Sequence, residues 1–297
     1  MTDKVKFSSY VKDNFKTTLN QLAKNKSKAD NSYHTKYITV NEYLNSFNDK
    51  ALNSICKKIS NFKYNCDHLT PIILPKTNCL NVMSLDNTRL VCVPSVQDRV
   101  LQKLFLDYLK KYYGEIYDRF CEYDHALNKD IHKKEIDTTN KDGQPTKKTI
   151  HGIRKALDDV IEYRSKYKYV IKADIVKFFD NINREIAVKK FEKEFIGLDE
   201  DRELTAIFKS FIYCDAKLDY GDLKYKKLIE KYLEELKGKG VRQGMPIASL
   251  CSSMYLYEFD NLMVKNNIPY IRYADDFLIF DNSYSKAKKI KEHVQQN

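Results

Sequence analysis

The stretch from Ile268 to Phe280, IPYIRYADDFLIF, sets the tightest limit on how this chain folds. Tyr270, Ile271 and Tyr273 run up to Ala274, Asp275 and Asp276, and a second apolar run (Phe277, Leu278, Ile279, Phe280) leads away from them. That pattern predicts two short strands and a tight bend, a β-hairpin with two carboxylates at its tip. Asp favours bends, so turn chemistry alone accounts for a lone Asp-Asp pair between apolar runs. A second β-rich run, Tyr169-Val170-Ile171-Lys172-Ala173-Asp174, also ends in an aspartate. An acid closing one strand and two more on an adjacent hairpin can converge at one edge of a sheet. There they can hold two divalent cations about 4 Å apart.

The chain is long enough, at 297 residues, for two interleaved subdomains or one large domain with a substantial core. A hydrophobic content of 42%, with 22 Tyr and 15 Phe, argues against disorder even though 31% of residues are charged. The formal net charge of +11 favours a polyanionic partner, because Lys and Arg that neutralise phosphates release condensed counterions. A lysine-rich solvated surface gives the same charge without any such partner. The seven cysteines form no Cys-x-x-Cys pair and do not combine with the six histidines in zinc-ligand spacing, which fits buried or free thiols. There is no signal-like segment and no apolar run of membrane-spanning length, so a cytoplasmic location without membrane contact is expected.

Residues 1–65 read as a helical extension, with Phe15, Leu19 and Leu22 and then Tyr43, Phe47, Leu52, Ile55 and Ile59 at helical spacing. Asn41 is placed as the cap of the second helix. Two strands follow, over Ile72–Lys76 and Arg89–Ser95, and then a helix from Val96 to about Tyr113. Residues 128–149, polar and lysine-rich around KDGQPTKK, read as a mobile loop. Helical spacing resumes at Ile153, Ala156, Leu157, Val160 and Ile161, directly before the Asp174 strand. Asp180 is read as the cap of a helix beginning near Asn183-Arg184-Glu185. More helices fill 184–237 with a turn at Gly221-Asp222, or a hairpin over Tyr213–Tyr225. Gly238-Lys239-Gly240 breaks that pattern, a long helix runs from Pro246 to about Lys265, and a final helix starts at Ser285.

Three segments in order carry a family resemblance. Tyr273-Ala274-Asp275-Asp276 resembles the YxDD motif of reverse transcriptases, and Asp174 through Asp180 resembles their first catalytic motif. Between them, Gly240-Val241-Arg242-Gln243-Gly244-Met245-Pro246-Ile247-Ala248-Ser249 is similar to the family's Gln-Gly-x-Pro-x-Ser segment. The wording resembles bacterial members: retrons, group II intron proteins and phage-defence enzymes. The sequence departs from the pattern at Arg242, at Leu250, and in Phe120–Ala126, where the family's segment ends in an arginine that is missing here.

The resemblance implies an α+β fold with right-hand fingers and palm, a split βαβ palm, and no thumb in this chain. Its parts would be the extension (1–65), fingers (66–170, with the inserted loop 128–149), and a palm over 171–297 that includes a fingers-like helical segment, 190–240. It implies RNA-directed DNA synthesis, with Asp174, Asp275 and Asp276 as catalytic residues and ligands of two Mg²⁺, Mn²⁺ being a substitute. Lys76 and Arg89 would contact the dNTP triphosphate, Arg as a bidentate fork and Lys as a point charge. Phe179 would lie beneath the sugar and clash with a ribose 2′-hydroxyl, while Gln243 and Gly244 would contact the nucleotide or base pair. The implied partners are an RNA template, a DNA or RNA primer and dNTPs, in a defence or retron setting. A catalytically silent or template-independent nucleic-acid-binding relative is the alternative. A nuclease could also use two metals and three aspartates, but it has no need of the Gln243 loop or the Phe179 plate.

A palm of this type carries a fourth strand beside the one bearing Asp174, in the order 4-1-3-2. The text ends before it. The chain is therefore expected to be a piece of a longer polypeptide, or to take the missing strand and thumb from a protein partner.

Overall fold

Helical spacing at the N-terminus becomes three helices in the computed structural model, which describes residues 4–24, 39–76, 88–127, 133–139, 144–196, 201–218, 225–286 and 288–289. They are α1 (Phe7–Lys24), α2 (Val40–Ser46) and α3 (Asp49–Ser60). Phe7, Val11, Phe15 and Leu19 recur every four residues on α1 and are fully buried, as a 3.6-residue period requires of a core-facing stripe. The cap of α2 is Thr39, not Asn41. Thr39 Oγ1 accepts from the Glu42 amide (3.2 Å) and Glu42 accepts from the Thr39 amide (2.6 Å), two orphan donors satisfied reciprocally.

The expected strands are β1 (Thr70–Pro75) and β2 (Thr88–Val93), an antiparallel pair, followed by α4 (Val96–Tyr112) and α5 (Gly114–Cys121). Residues 128–149 differ from the expected loop: β3 (Lys133–Thr139) and β4 (Pro145–His151) pair antiparallel. Nearly every side chain of this ribbon is exposed, so it shows none of the apolar alternation that marks a half-buried strand. Next come α6 (Ile153–Lys166), β5 (Tyr169–Asp174), the single turn α7 (Phe178–Asn181) and α8 (Arg184–Phe191), which runs into a π-helical turn, Glu192–Ile196. Asp180 lies within α7 and is not the cap of α8. That role falls to Asn183, whose Oδ1 accepts from the Ile186 amide at 3.1 Å. The chain continues through α9 (Arg202–Ile212), α10 (Lys226–Glu235), α11 (Ala248–Lys265), β6 (Tyr270–Tyr273) and β7 (Asp276–Asp281). The expected Gly221-Asp222 turn, and most of the expected last helix, fall outside the described residues. The class is α+β, with helices and small antiparallel sheets.

The chain gathers into two units, residues 1–114 with 179–248 and residues 115–178 with 249–297. In the first, Phe105 of α4 is ringed by Phe7, Phe191, Phe208 and Phe211, and the Phe191 and Phe208 rings stack at 4.1 Å. Ile73 of β1 packs on Ile229, Tyr232 and Leu236 from α10 and its C-terminal end. In the second, a three-stranded antiparallel sheet of order β5-β7-β6 is covered on both faces. Ala156 of α6, with Val160 and Tyr163, packs on Ile271 and Phe280. Phe259 of α11 meets Phe277 edge-on at 4.9 Å. Only part of the apolar side expected for α6 is buried: Ile153, Leu157 and Ile161 are 59%, 57% and 71% exposed.

Phe105→Ala should destabilise the protein by about 3–5 kcal/mol, because a fully buried ring is lost from a packed aromatic cluster. The check is a lower urea midpoint with an unchanged slope.

Candidate active site

All three candidate acids lie in the second unit, where strand register sets two of them opposite each other. Asp174, the last residue of β5, is directly opposite Asp276, the first residue of β7. Opposed residues of an antiparallel pair share a face, with Cβ atoms about 4.5–5.5 Å apart. Tyr273 is opposite Asp276 on the other side, which leaves Ala274-Asp275 as a two-residue hairpin turn. Asp174 and Asp276 are exposed and Asp275 is half-buried. The Lys172 ammonium stands 3.8 Å from Asp276 Oδ1, both groups well exposed, a contact worth little in water.

The donors here are carboxylate oxygens only, the chemistry that suits Mg²⁺. Among the described residues no three His, Cys, Asp or Glu side chains are drawn close enough to enclose an ion by themselves. Mg²⁺ sites need no such cage, since one or two carboxylates are commonly completed by waters and substrate phosphates. The residues fit an ion of that kind.

Ala274 has φ 57°, a left-handed conformation that costs a non-glycine residue about 1–2 kcal/mol. Beneath it lies a buried ion network that the sequence reading did not identify. Arg272, fully buried, donates from Nε and Nη2 to both oxygens of buried Asp260 (2.9 and 2.7 Å), and its Nη1 reaches Asp124 Oδ2 at 3.0 Å. Asp124 also accepts from the amides of Ala126 and Ala274 (both 2.9 Å) and from Ser253 Oγ (2.9 Å). Tyr270 donates its hydroxyl to Asp260 Oδ1, and the His125 amide donates to the Arg272 carbonyl. Burial opposes charge on Arg272, but Asp260 and Asp124 outweigh it and hold the guanidinium pKa above its ordinary value. The available signal was a charged residue inside an otherwise apolar strand, which has to find a buried partner.

The candidate nucleotide-binding residues belong to the first unit. Arg89 sits on β2 opposite Leu74, and Lys76 follows β1 two residues after Leu74; both cations are exposed. The Cys92 amide of β2 donates to the Gln243 carbonyl (2.7 Å), and the Val241 amide donates to the Phe179 carbonyl (2.8 Å). The two glycines allow this contact. A Cβ on Gly240 (φ +65°) would lie 2.6 Å from the Phe179 and Asp180 carbonyl oxygens, and one on Gly244 (φ +100°) 2.8 Å from the Cys92 carbonyl oxygen. Phe179, Gln243, Gly244 and β2 are thus one local assembly. Arg242, where the sequence departs from the family pattern, is buried and staples it: Nη2 meets Asp215 Oδ1 at 3.2 Å and Nη1 donates to the Lys239 carbonyl at 2.8 Å. Arg184 shares the same Asp215 oxygen (2.5 Å) and donates from Nε to the Gly240 carbonyl (2.7 Å). Burial lowers the Arg242 pKa from its ordinary value. Leu250, the other departure, is a fully buried residue of α11.

The family described as Reverse transcriptase (RNA-dependent DNA polymerase) matches residues 74–297. No curated protein matches the chain. Among solved structures it is similar to a chain of a partial Cas6-RT-Cas1–Cas2 complex and to one of a Cas6-RT-Cas1–Cas2 complex. Each is 16% identical with a TM-score of 0.35, over 96% of this chain. The chain spans 40% and 25% of the length of those two chains. No helix among the described residues is long and apolar enough to cross a membrane. With about three quarters of its length matched, the chain belongs to the reverse transcriptase family.

Proposed function

We propose that this chain is the fingers and palm of an RNA-directed DNA polymerase that adds dNTPs to a primer 3′ end on an RNA template. The observation that carries the reading is the register that sets Asp174 opposite Asp276 with Asp275 on the intervening turn. The sheet order β5-β7-β6 supports a palm, being the first, third and second strands of the 4-1-3-2 order. Among the described residues β5 pairs only with β7, so its other edge is where a fourth strand, from a partner or from elsewhere in the polypeptide, would add.

Asp174 and Asp275 are the principal ligands in this reading, with Asp276 beside them. Two Mg²⁺ bound there would activate the primer hydroxyl and balance charge on the departing pyrophosphate. The acids fix where the α-phosphate and the attacking oxygen meet, which is the larger share of what a protein supplies to phosphoryl transfer. Lys76 and Arg89 hold the triphosphate, and the Gln243-Gly244 loop sets the nucleotide against the template base. Phe179 rejects a 2′-hydroxyl. A net charge of +11 supports attraction of a nucleic-acid duplex. We place the activity in a bacterial defence or retron system.

Primer extension on an RNA template with Mg²⁺ tests the reaction. Asp275→Asn should abolish incorporation while leaving the melting temperature and hybrid binding near wild type, since a neutral amide cannot balance the metal charge. More than a few per cent residual activity would remove Asp275 from the site. Phe179→Ala should let ribonucleotides in while dNTP use persists, and unchanged discrimination between the two would place the steric gate elsewhere. Lys76→Ala and Arg89→Ala should raise the KM for dNTP with little change in hybrid affinity, measured by steady-state kinetics and filter binding.

A further inference from the structure

The turn residue before Asp275 is held by both of its backbone polar groups. The Ala274 amide donates to Asp124 Oδ1 at 2.9 Å, and the Ala274 carbonyl accepts from Arg272 Nη1 at 3.2 Å. Asp124 and Arg272 are themselves paired at 3.0 Å, and both are buried, 2% and 0% exposed. Arg272 is anchored again by the two-pronged contact with Asp260, and Asp124 by Ser253 and the Ala126 amide. Ala274 is left-handed, a state that an alanine abandons for lack of support. In a two-residue turn the backbone angles of the first residue set the direction of the second side chain, which here is that of Asp275.

We propose that Asp124 and Arg272 are positioning residues: their ion pair clamps Ala274 in its left-handed conformation and so aims the Asp275 carboxylate. This rests on the polymerase reading for what Asp275 does, but not for the clamp. Neither residue needs to touch nucleotide, template or metal. The pair acts through the turn, and its loss should cost rate and metal binding while sparing dNTP recognition.

Two conservative variants test it. Asp124→Asn keeps the volume and an acceptor for the Ala274 amide but turns the other oxygen into a donor facing Arg272. Arg272→Lys keeps the charge and gives up the fork that reaches Asp260, Asp124 and the Ala274 carbonyl together. In each, kcat for dNTP addition should fall about tenfold or more with KM for dNTP within about twofold, because a small misaiming of a reacting group is costly. Mn²⁺ binding to the protein alone, followed by EPR without nucleotide or nucleic acid and with Asp275→Asn as the reference for a broken site, should weaken about tenfold. In the unmodified protein the Ala274 amide should exchange slowly with solvent for a hairpin tip, a measurement that does not depend on any variant folding.

A folded form of either variant with wild-type kcat and wild-type Mn²⁺ affinity overturns the proposal. So does fast exchange at Ala274, or unmodified protein whose Mn²⁺ binding is indifferent to Asp275→Asn. Failure of the unmodified chain to extend any primer would sink the polymerase reading instead, while the Mn²⁺ and exchange results still decide the clamp.

Discussion

Antiparallel pairing of β7 with β5 is what brings Asp174 level with Asp276, and the core, not the acids, selects that register. Phe280 and Ile279 are fully buried and Phe277 nearly so, on alternate faces of the sheet. Each such side chain contributes about 1.5–3 kcal/mol by leaving water. A slip of one residue would turn Phe280 and Leu278 away from the α6 side, where Ile271 and Ala156 meet them, and would separate Phe277 from Phe259. The exposed carboxylates add little to this balance and mutually repel. A site of like charges is therefore placed by the apolar residues that alternate with it.

In the first unit the shape of the Gln243 loop follows from close backbone approach. The loop leans on β2 through the Cys92–Gln243 hydrogen bond and on residues 179 and 180 through Gly240, at distances no Cβ tolerates. Arg242 and Arg184 converge on one carboxylate, Asp215, and Arg242 also donates to the carbonyls of Lys239 and Leu236 while Arg184 donates to that of Gly240. A buried arginine is rarely retained for net stability, since desolvation offsets much of the pairing. Here Arg242 donates to the Lys239 carbonyl of a glycine-broken loop and ties it to Leu236 and Asp215, which gives the departure at Arg242 a local reason. In the sequence, four residues separate Asp174 from Phe179.

Much of the framework that carries the candidate site was legible because its elements are short and their signals local. Apolar runs flanking Ala274-Asp275-Asp276 specify a hairpin, and the spacing after Pro246 specifies α11. Local signals fail where two candidates compete or where no periodicity exists. Asn41 and Thr39 are both good caps, and only the Glu three residues after Thr39 separates them. Lys133–Thr139 and Pro145–His151 bury almost nothing, so they carry no strand signature. The Asp124–Arg272–Asp260 network was out of reach for a different reason. Asp124 and Arg272 lie far apart in the chain, and no local pattern says which acid a buried arginine will meet.

Two aspartates share a single arginine under the hairpin, so the donors of Arg272 alone cannot satisfy both carboxyl groups. Asp260 takes both of the guanidinium's best-placed donors, together with the Tyr270 hydroxyl. Asp124 is left with one Arg272 nitrogen, and its remaining needs are met by Ser253 and by the amides of Ala126 and Ala274. One of those amides belongs to the turn itself. A glycine at 274 would take the left-handed conformation without steric cost, at a larger loss of backbone freedom on ordering. Alanine narrows the choice, and the carboxylate beneath supplies the interaction that outweighs its strain. Burying the ion network and forming the left-handed turn are therefore coupled: the tip supplies one of Asp124's donors, and Asp124 and Arg272 hold the tip by its amide and its carbonyl.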